Sequence, residues 1–251
     1  MNIDIITALI ETGLASDAEH AKTLINCGLV FMGDRSIDAG SKITEQELEK
    51  YGLRVKYSKP YVSRGAEKLL SVFKNFELNV KDFKCIDAGS STGGFTQLLL
   101  KKGASFVYAV DVGRVIIDSK LKNDPRVFVM EGINARLLSE YEIVRKNITI
   151  NTLDLAVFDL SFISLKMVVP SVLPYIKNNG WLIALVKPQF EVERKHVQKG
   201  GVVRDEKVIT ELLANMKDFF KQNSLDVIKV IPSALKGPSG NQEYFYVMQK
   251  K

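Results

Sequence analysis

Lys84-Cys85-Ile86-Asp87-Ala88-Gly89-Ser90-Ser91-Thr92-Gly93-Gly94-Phe95-Thr96-Gln97-Leu98-Leu99-Leu100 sets a short apolar run, a glycine-rich turn and a second apolar run in immediate succession. The order predicts a strand ending near Asp87, a tight loop, and a helix that starts against the loop. Small residues in such a loop let a ligand approach the backbone, and the helix N-terminus behind it attracts negative charge. The spacing is Asp-x-Gly-x-x-x-Gly-Gly, neither the Gly-x-Gly-x-x-Gly of dinucleotide binders nor the lysine-containing phosphate loop.

Asp111 closes the next apolar run, 24 residues after Asp87. There an acid can accept hydrogen bonds from both ribose hydroxyls of a nucleoside. An adenosine cofactor without a pyrophosphate suits this pair best, and S-adenosylmethionine is that cofactor. The competing reading is a purely structural tight turn. Outward from this unit, strands are expected near residues 85–86, 106–110, 127–129, 155–158, 181–186, 227–231 and 244–248, with helices near 66–76 and 205–222. Alternation of this kind means an α/β fold, a doubly wound and mostly parallel sheet. No helix separates the last two strands, which favours an antiparallel final pair.

A second signal lies at the ends of other strands. Leu155-Ala-Val-Phe ends in Asp159, and Trp181-Leu-Ile-Ala-Leu-Val ends in Lys187-Pro188. Both fall at the carboxyl edge of the sheet, where ligands bind in this architecture. A lysine held in such a crevice can serve as a general base near neutrality, because burial disfavours its charged form. A structural ion pair is the alternative. Glu243, at the start of the final strand, either joins them or merely begins that strand.

Composition bounds the class. The chain has 251 residues, 35 Lys and Arg against 29 Asp and Glu, with 46% hydrophobic and 25% charged residues, which excludes disordered and collagen-like chains. The longest stretch without a charge runs over residues 88–100 and holds three glycines, against the ~20 apolar residues of a spanning helix. The start carries no basic segment leading into an apolar block, so a cytoplasmic protein is expected. Cys27 and Cys85 lie in apolar runs and read as buried thiols. With His20 and His196 they show no zinc-ligand spacing, and no metal is expected.

Residues 1–50 carry four basic against nine acidic side chains, so the remaining 201 residues carry a net charge of +11. An excess of that size suggests a polyanionic partner. The acidic head (residues 1–50) reads as two short helices and a small sheet, the second helix opening with Ser16 as N-cap and Glu19 at the capping-box position. Residues 51–62 read as a basic linker ahead of a body over 63–251. Arg54, Lys56, Lys59, Arg64 and Lys68, interleaved with Tyr51, Tyr57 and Tyr61, are its candidate RNA contacts. A solvated face is the plainer reading of such a run.

The body resembles the ribose 2′-O-methyltransferases of the FtsJ/RrmJ class. The whole chain, from about residue 3 to residue 248, resembles the TlyA (hemolysin A) family of rRNA methyltransferases. The motifs that carry the likeness are Tyr61-Val-Ser-Arg-Gly-Ala-Glu-Lys-Leu69, Asp87 to Thr96, Asn134-Ala-Arg136, Asp159-Leu-Ser-Phe-Ile-Ser164, Leu185-Val-Lys-Pro-Gln-Phe-Glu191, Gly200-Gly-Val-Val203 and Gly237-Pro-Ser-Gly-Asn-Gln-Glu-Tyr-Phe245. The resemblance implies a Rossmann-like, seven-stranded methyltransferase sheet with an antiparallel last strand. It also implies that the head is an α+β RNA-binding domain of ribosomal protein S-four type.

The resemblance places a Lys-Asp-Lys-Glu catalytic tetrad on Lys68, Asp159, Lys187 and Glu243. Expected cofactor contacts are then Asp87, Gly89, Ser90, Ser91, Gly93, Gly94, Phe95, Asp111, Val112, Asn134, Asp159 and Leu160. Two stretches depart from the family pattern: Ser16-Asp17 stands where a Ser-Arg pair is usual, and Arg114-Val-Ile-Ile117 where Tyr-Gly-Gln-Leu is frequent. An acidic head gains little from phosphate contacts, which shifts RNA binding toward the linker and body.

The expected reaction is methyl transfer from S-adenosylmethionine to a ribose 2′-hydroxyl in ribosomal RNA, with cytidine implied by the family. Neutral Lys187 is the base, and Phe95, Phe162 or Phe190 stack on a flipped nucleotide. The expected partner is rRNA or a ribosomal subunit; no membrane partner is expected, and a homodimer is allowed. Two alternatives come from other classes: a non-catalytic RNA-binding or ribosome-assembly protein on the same fold, and a membrane-active hemolysin.

Overall fold

A computed structural model describes residues 2–26, 28–38, 41–55, 61–114 and 116–251. The chain forms two compact units, Met1–Ser63 and Arg64–Lys251. Cys27, Lys56, Tyr57 and Lys59 lie outside the described residues.

The head contains β1 (Asn2–Ile3), α1 (Ile5–Glu11), α2 (Ala18–Asn26), β2 (Val30–Met32), β3 (Arg35–Ser36), β4 (Ile43–Thr44), α3 (Glu45–Tyr51) and β5 (Leu53–Val55). β3, β2 and β5 form one antiparallel sheet, and β1 pairs with β4. Ile5, Leu9, Ala21, Leu24, Val30, Ile37 and Ile43 make a core of the head's own.

Three sequence expectations are corrected here. Asp17 rather than Ser16 caps α2, its Oδ1 accepting the His20 N–H at 2.8 Å; Ser16 instead donates its hydroxyl to Asp17. Helix α3 was not foreseen, because it buries no residue and so shows no apolar stripe. Its signal is the reciprocal cap in which Glu47 accepts the Thr44 N–H at 2.9 Å and Thr44 Oγ1 accepts the Glu47 N–H at 3.3 Å. Finally, part of the stretch read as linker is a strand of the head, with Leu53–Val55 paired to Val30–Met32.

The body contains α4 (Arg64–Asn75), β6 (Lys84–Ala88), α5 (Gly94–Lys101), β7 (Phe106–Asp111), α6 (Ser119–Lys122), β8 (Val127–Glu131), α7 (Glu142–Asn147), β9 (Leu153–Phe158), α8 (Leu165–Val172), β10 (Ile176–Val186), α9 (Pro188–Glu191), α10 (Glu206–Gln222), β11 (Leu225–Pro232) and β12 (Tyr244–Lys250). Its sheet has seven strands in the order β11-β12-β10-β9-β6-β7-β8. The five from β10 to β8 are parallel, and β12 runs antiparallel to both its neighbours. Residues 85–88 and 155–158 are buried without interruption, as parallel strands covered on both faces must be. α10 lays Leu212, Met216 and Phe220 on the sheet. The chain leaves β6 for β7 and β8, then returns to pair β9 on the other side of β6. The crevice at that reversal, outside the carboxyl ends of the strands, is where an open sheet of this type holds ligands.

Because the head carries its own core, Leu9→Ala is expected to cost about 2 to 5 kcal/mol of stability in urea denaturation of the full chain. A loss well under 1 kcal/mol, roughly the scale of an exposed substitution, would show that the head's core does not hold it together.

Candidate active site

Ala88, Phe158 and Ala184 lie side by side on β6, β9 and β10. Whatever follows these residues therefore emerges at one edge of the sheet. Gly89 follows the first, with φ +87°. A Cβ there would stand 2.7 Å from the Asp159 carbonyl oxygen and 3.2 Å from Leu160 Cδ2, so the two strand ends meet only because residue 89 has no side chain. Gly93 caps α5 in the left-handed region, and a Cβ on it would stand 2.3 Å from Leu121 Cδ1.

A cavity of about 370 Å³ opens beside this loop. Of the twelve expected cofactor contacts, Gly89, Ser91, Asp111, Val112, Asn134, Asp159 and Leu160 line it. The Asp111 carboxylate is oriented by two backbone donors, the Ser91 N–H and the Gly113 N–H, each at 2.8 Å. Each oxygen keeps lone-pair capacity for a further donor, as a ribose hydroxyl requires. Asn134 uses its side chain on the Arg136 N–H at 3.0 Å.

Asp87, Ser90, Gly93, Gly94 and Phe95 do not line the cavity and shape the loop from behind. Asp87 is wholly buried, and its Oδ2 accepts the Thr96 N–H at 2.9 Å and the Thr96 hydroxyl at 2.7 Å, tying the end of β6 to α5. Its Oδ1 has no hydrogen-bond partner among the described residues. Burial, only partly offset by the Thr96 hydroxyl, pushes this carboxyl up to about 7. Phe95 is buried against Phe245, with ring centroids 6.1 Å apart, so it is core and not a stacking platform. Ile116, Ile133, Ala135, Ser161, Phe162, Ile163 and Val168 complete much of the cavity wall. Ser161 to Ile163 sit inside a motif quoted above, whereas Ile116 shows no sequence signal.

The four tetrad positions form two ion pairs. Lys187 Nζ lies 2.7 Å from Asp159 Oδ1 and donates to Ser161 Oγ at 3.1 Å. Lys68 Nζ donates to Glu243 Oε2 at 2.6 Å, with Glu243 fully buried. Val186 pairs with Tyr244 across β10 and β12, so Lys187 and Glu243 stand one residue beyond that pair on adjacent strands. A Cβ on Gly237 would stand 2.5 Å from Glu243 Oε1, an oxygen that has no hydrogen-bond partner among the described residues.

The candidate RNA contacts fare differently. Arg54 turns back on its own head, reaching Asp34 Oδ1 at 3.0 Å and the Gly33 carbonyl oxygen at 2.5 Å. Lys68 is buried against Glu243 rather than displayed to phosphate. Arg64 is exposed in the first turn of α4. Among the described residues, no group of three or more His, Cys, Asp or Glu is placed to hold a metal ion.

The chain is similar to known proteins. The model of the FtsJ-like methyltransferase family matches residues 61–250. The 16S/23S rRNA (cytidine-2′-O)-methyltransferase TlyA of Mycobacterium tuberculosis is 37% identical over 238 residues, covering 94% of this chain and 86% of its own. A solved structure named as a hemolysin, from Streptococcus thermophilus, superposes with TM-score 0.74 at 33% identity, over 100% of this chain and 89% of that one. A solved Listeria monocytogenes protein, named as an S-adenosylmethionine-dependent methyltransferase, shares the fold with TM-score 0.55 at 12% identity, over 75% of this chain and 100% of that one.

The buried Asp87 carries a pH signature. Its folded-state value of about 7 lies above the ordinary 3.8, so between those limits the folded chain binds the proton that the unfolded chain has released. This contribution to stability is present at low pH and is lost as pH rises toward 7. Wild type should therefore lose stability relative to Asp87→Asn between about pH 4 and pH 7, as read by denaturant titration at each pH. Parallel curves would place the Asp87 proton elsewhere.

Proposed function

The chain belongs to the FtsJ-like methyltransferase family, and on that premise we propose that it moves a methyl group from S-adenosylmethionine to the ribose 2′-hydroxyl of a cytidine in ribosomal RNA. The observation that carries this reading is the Asp159–Lys187 ion pair, with Asp159 on the cavity wall and Glu243 one residue before β12, the strand that pairs with the one Lys187 follows. The residues present fit the cofactor. Gly89 and Ser91 bring bare loop backbone to the cavity wall, Asp111 offers an oriented carboxylate for ribose hydroxyls, and Ile116, Ile133, Leu160 and Val168 form an apolar wall.

When bound, S-adenosylmethionine supplies an electrophilic methyl carbon on a cationic sulfur. Lys187, after passing its ion-pair proton to solvent, takes the 2′-hydroxyl proton at Nζ, so the ribose oxygen becomes the nucleophile. Asp159 and Ser161 hold that nitrogen in place. Lys68 and Glu243, locked to each other, fix the ribose and the approach of Lys187. Alignment of the attacking oxygen supplies much of the acceleration, since positioning alone contributes several kcal/mol, about 7 to 11 at its upper range.

Phe162 is 90% exposed, lines the cavity and lies 5.1 Å from the Phe190 ring, centroid to centroid. A base turned out of its helix stacks there, at an unstacking cost of a few kcal/mol. The net positive charge of the chain outside residues 1–50 attracts the phosphate backbone. A ribosomal substrate puts the reaction in the cytoplasm, and among the described residues no helix is long and apolar enough to cross a membrane. All four tetrad side chains and the glycine loop are present, which favours an enzyme over a non-catalytic assembly factor.

Transfer of labelled methyl to ribosomal subunits lacking the modification tests the reading. Wild type should label one ribose, and Lys187→Ala should lose at least about 100-fold in rate while still binding S-adenosylmethionine in calorimetry. Full activity of that variant would remove Lys187 as the base, and failure of every subunit and naked rRNA to accept label would favour the binding-protein reading. Gly89→Ala should weaken cofactor binding by at least about tenfold, or about 1.4 kcal/mol, because the Asp159 carbonyl must move. Unchanged affinity would show that the cofactor does not lie against this loop.

A further inference from the structure

The segments that leave β9 and β10 stay joined beyond the sheet by contacts in regular order. Asp159 meets Lys187 at 2.7 Å, and Lys187 Nζ reaches back to Ser161 Oγ at 3.1 Å. Phe162 and Phe190 follow, 5.1 Å between centroids. The last contact is made by Glu191, whose Oε2 accepts the Ser164 hydroxyl at 2.5 Å and whose Oε1 accepts the Leu165 N–H at 2.7 Å. Ser164 is also the N-cap of α8, and Lys187 is the N-cap of the single turn α9 that Glu191 ends.

Glu191 belongs to neither ion pair and does not line the cavity. It is a carboxylate drawn into the protein and engaged through both oxygens on the opposite segment. Burial pushes its carboxyl above the ordinary value, against the pull of the Ser164 hydroxyl and the Leu165 amide. Between its contacts and those of Lys187 lies Phe162, with φ +64°, a conformation that a bulky side chain rarely adopts. A residue in that region persists only where its surroundings over-determine it. The anchors on its two sides are Lys187 on Asp159 and Ser161, and Glu191 on Ser164 and Leu165.

From this arrangement we propose that Glu191 is a positioning residue for the methyl transfer, holding Phe162 and Asp159 in register with Lys187. The inference rests on the ribosomal 2′-O-methylation reading above. Without the Glu191 carboxylate the outer end of the pairing opens, Phe162 relaxes from its left-handed conformation, and the target ribose loses its alignment with Lys187. Glutamine preserves much of the clasp, since its oxygen can accept the Leu165 N–H and its amide can donate to Ser164 Oγ.

The test compares wild type, Glu191→Ala, Glu191→Gln and Ser164→Ala as full chains, on ribosomal subunits lacking the modification. It reads kcat and KM for the subunit, calorimetric affinity for S-adenosylmethionine, and Tm. Glu191→Ala should lower kcat by about 10- to 100-fold, with cofactor affinity and subunit KM within about threefold of wild type. Glu191→Gln should recover kcat to within about fivefold, and Ser164→Ala should fall between them. A purely structural role would lower Tm and leave the kcat of the folded enzyme unchanged, overturning the inference; so would a Glu191→Gln no better than Glu191→Ala. If Glu191→Ala does not fold, Ser164→Ala decides, and wild-type kcat in that variant overturns the proposal. A wild type that binds cofactor but labels no subunit would instead bring down the ribosomal reading, and this inference with it.

Discussion

Two strand ends that touch through bare backbone govern the rest of the body. β6 and β9 are paired to their last residues, and the Asp159 carbonyl occupies the space that any side chain at position 89 would claim. The Asp159 N–H donates to the Ala88 carbonyl at 3.2 Å, extending the pairing one step past the sheet. This close approach sets where Asp159 points and where the cavity begins. It also explains why position 89 is a glycine.

Charge at this edge is kept at a cost. Taking a carboxylate and an ammonium out of water costs several kcal/mol per ion, on the order of what their mutual attraction returns, so such pairs are weak evidence for stability. Two of them stand at this edge, and the more deeply buried, between α4 and the residue before β12, leaves Glu243 Oε1 without a partner among the described residues. A chain optimised for stability would fill these positions with apolar side chains, as it does at Phe158, Val186 and Phe245 just inside the edge. The sheet therefore changes character within one residue, from a continuous apolar interior to a row of ionised groups.

Legibility in the sequence follows the same boundary. The central parallel strands of the body are readable because burial on both faces makes them continuous apolar runs, β11 and β12 because no helix separates them, and Asp111, Asp159 and Lys187 because charge follows such runs directly. Roles within the loop were less legible, since Gly89 and Phe95 share one motif while one meets the cavity and the other packs into the core. Periodicity does not distinguish a backbone that faces a ligand from one that supports it. Ile116 and Ala135 reach the cavity from separate segments brought in only by folding. In the head, α3 gives little signal because Leu48 alone of its apolar side chains leans on the core, and Arg54 reads as a phosphate contact because its pairing in a strand with Leu53 and Val55 is not legible locally. Glu191 lay inside a recognised motif without a role, because its partners are 26 and 27 residues away.

The place of β12 has a consequence for how the enzyme comes into being. The strand is made after β10 and β11 yet lies between them, hydrogen-bonded to both. A nascent chain that has released only the first two therefore holds a slot in its sheet, with two unpaired edges facing the gap. Those edges can pair wrongly with each other or with a neighbouring chain until the slot is filled. Glu243, which begins that strand's approach, arrives with it, so the ionised row is completed in the same event that closes the sheet. The sheet and that row of charged side chains are thereby completed together, as the last strand is made.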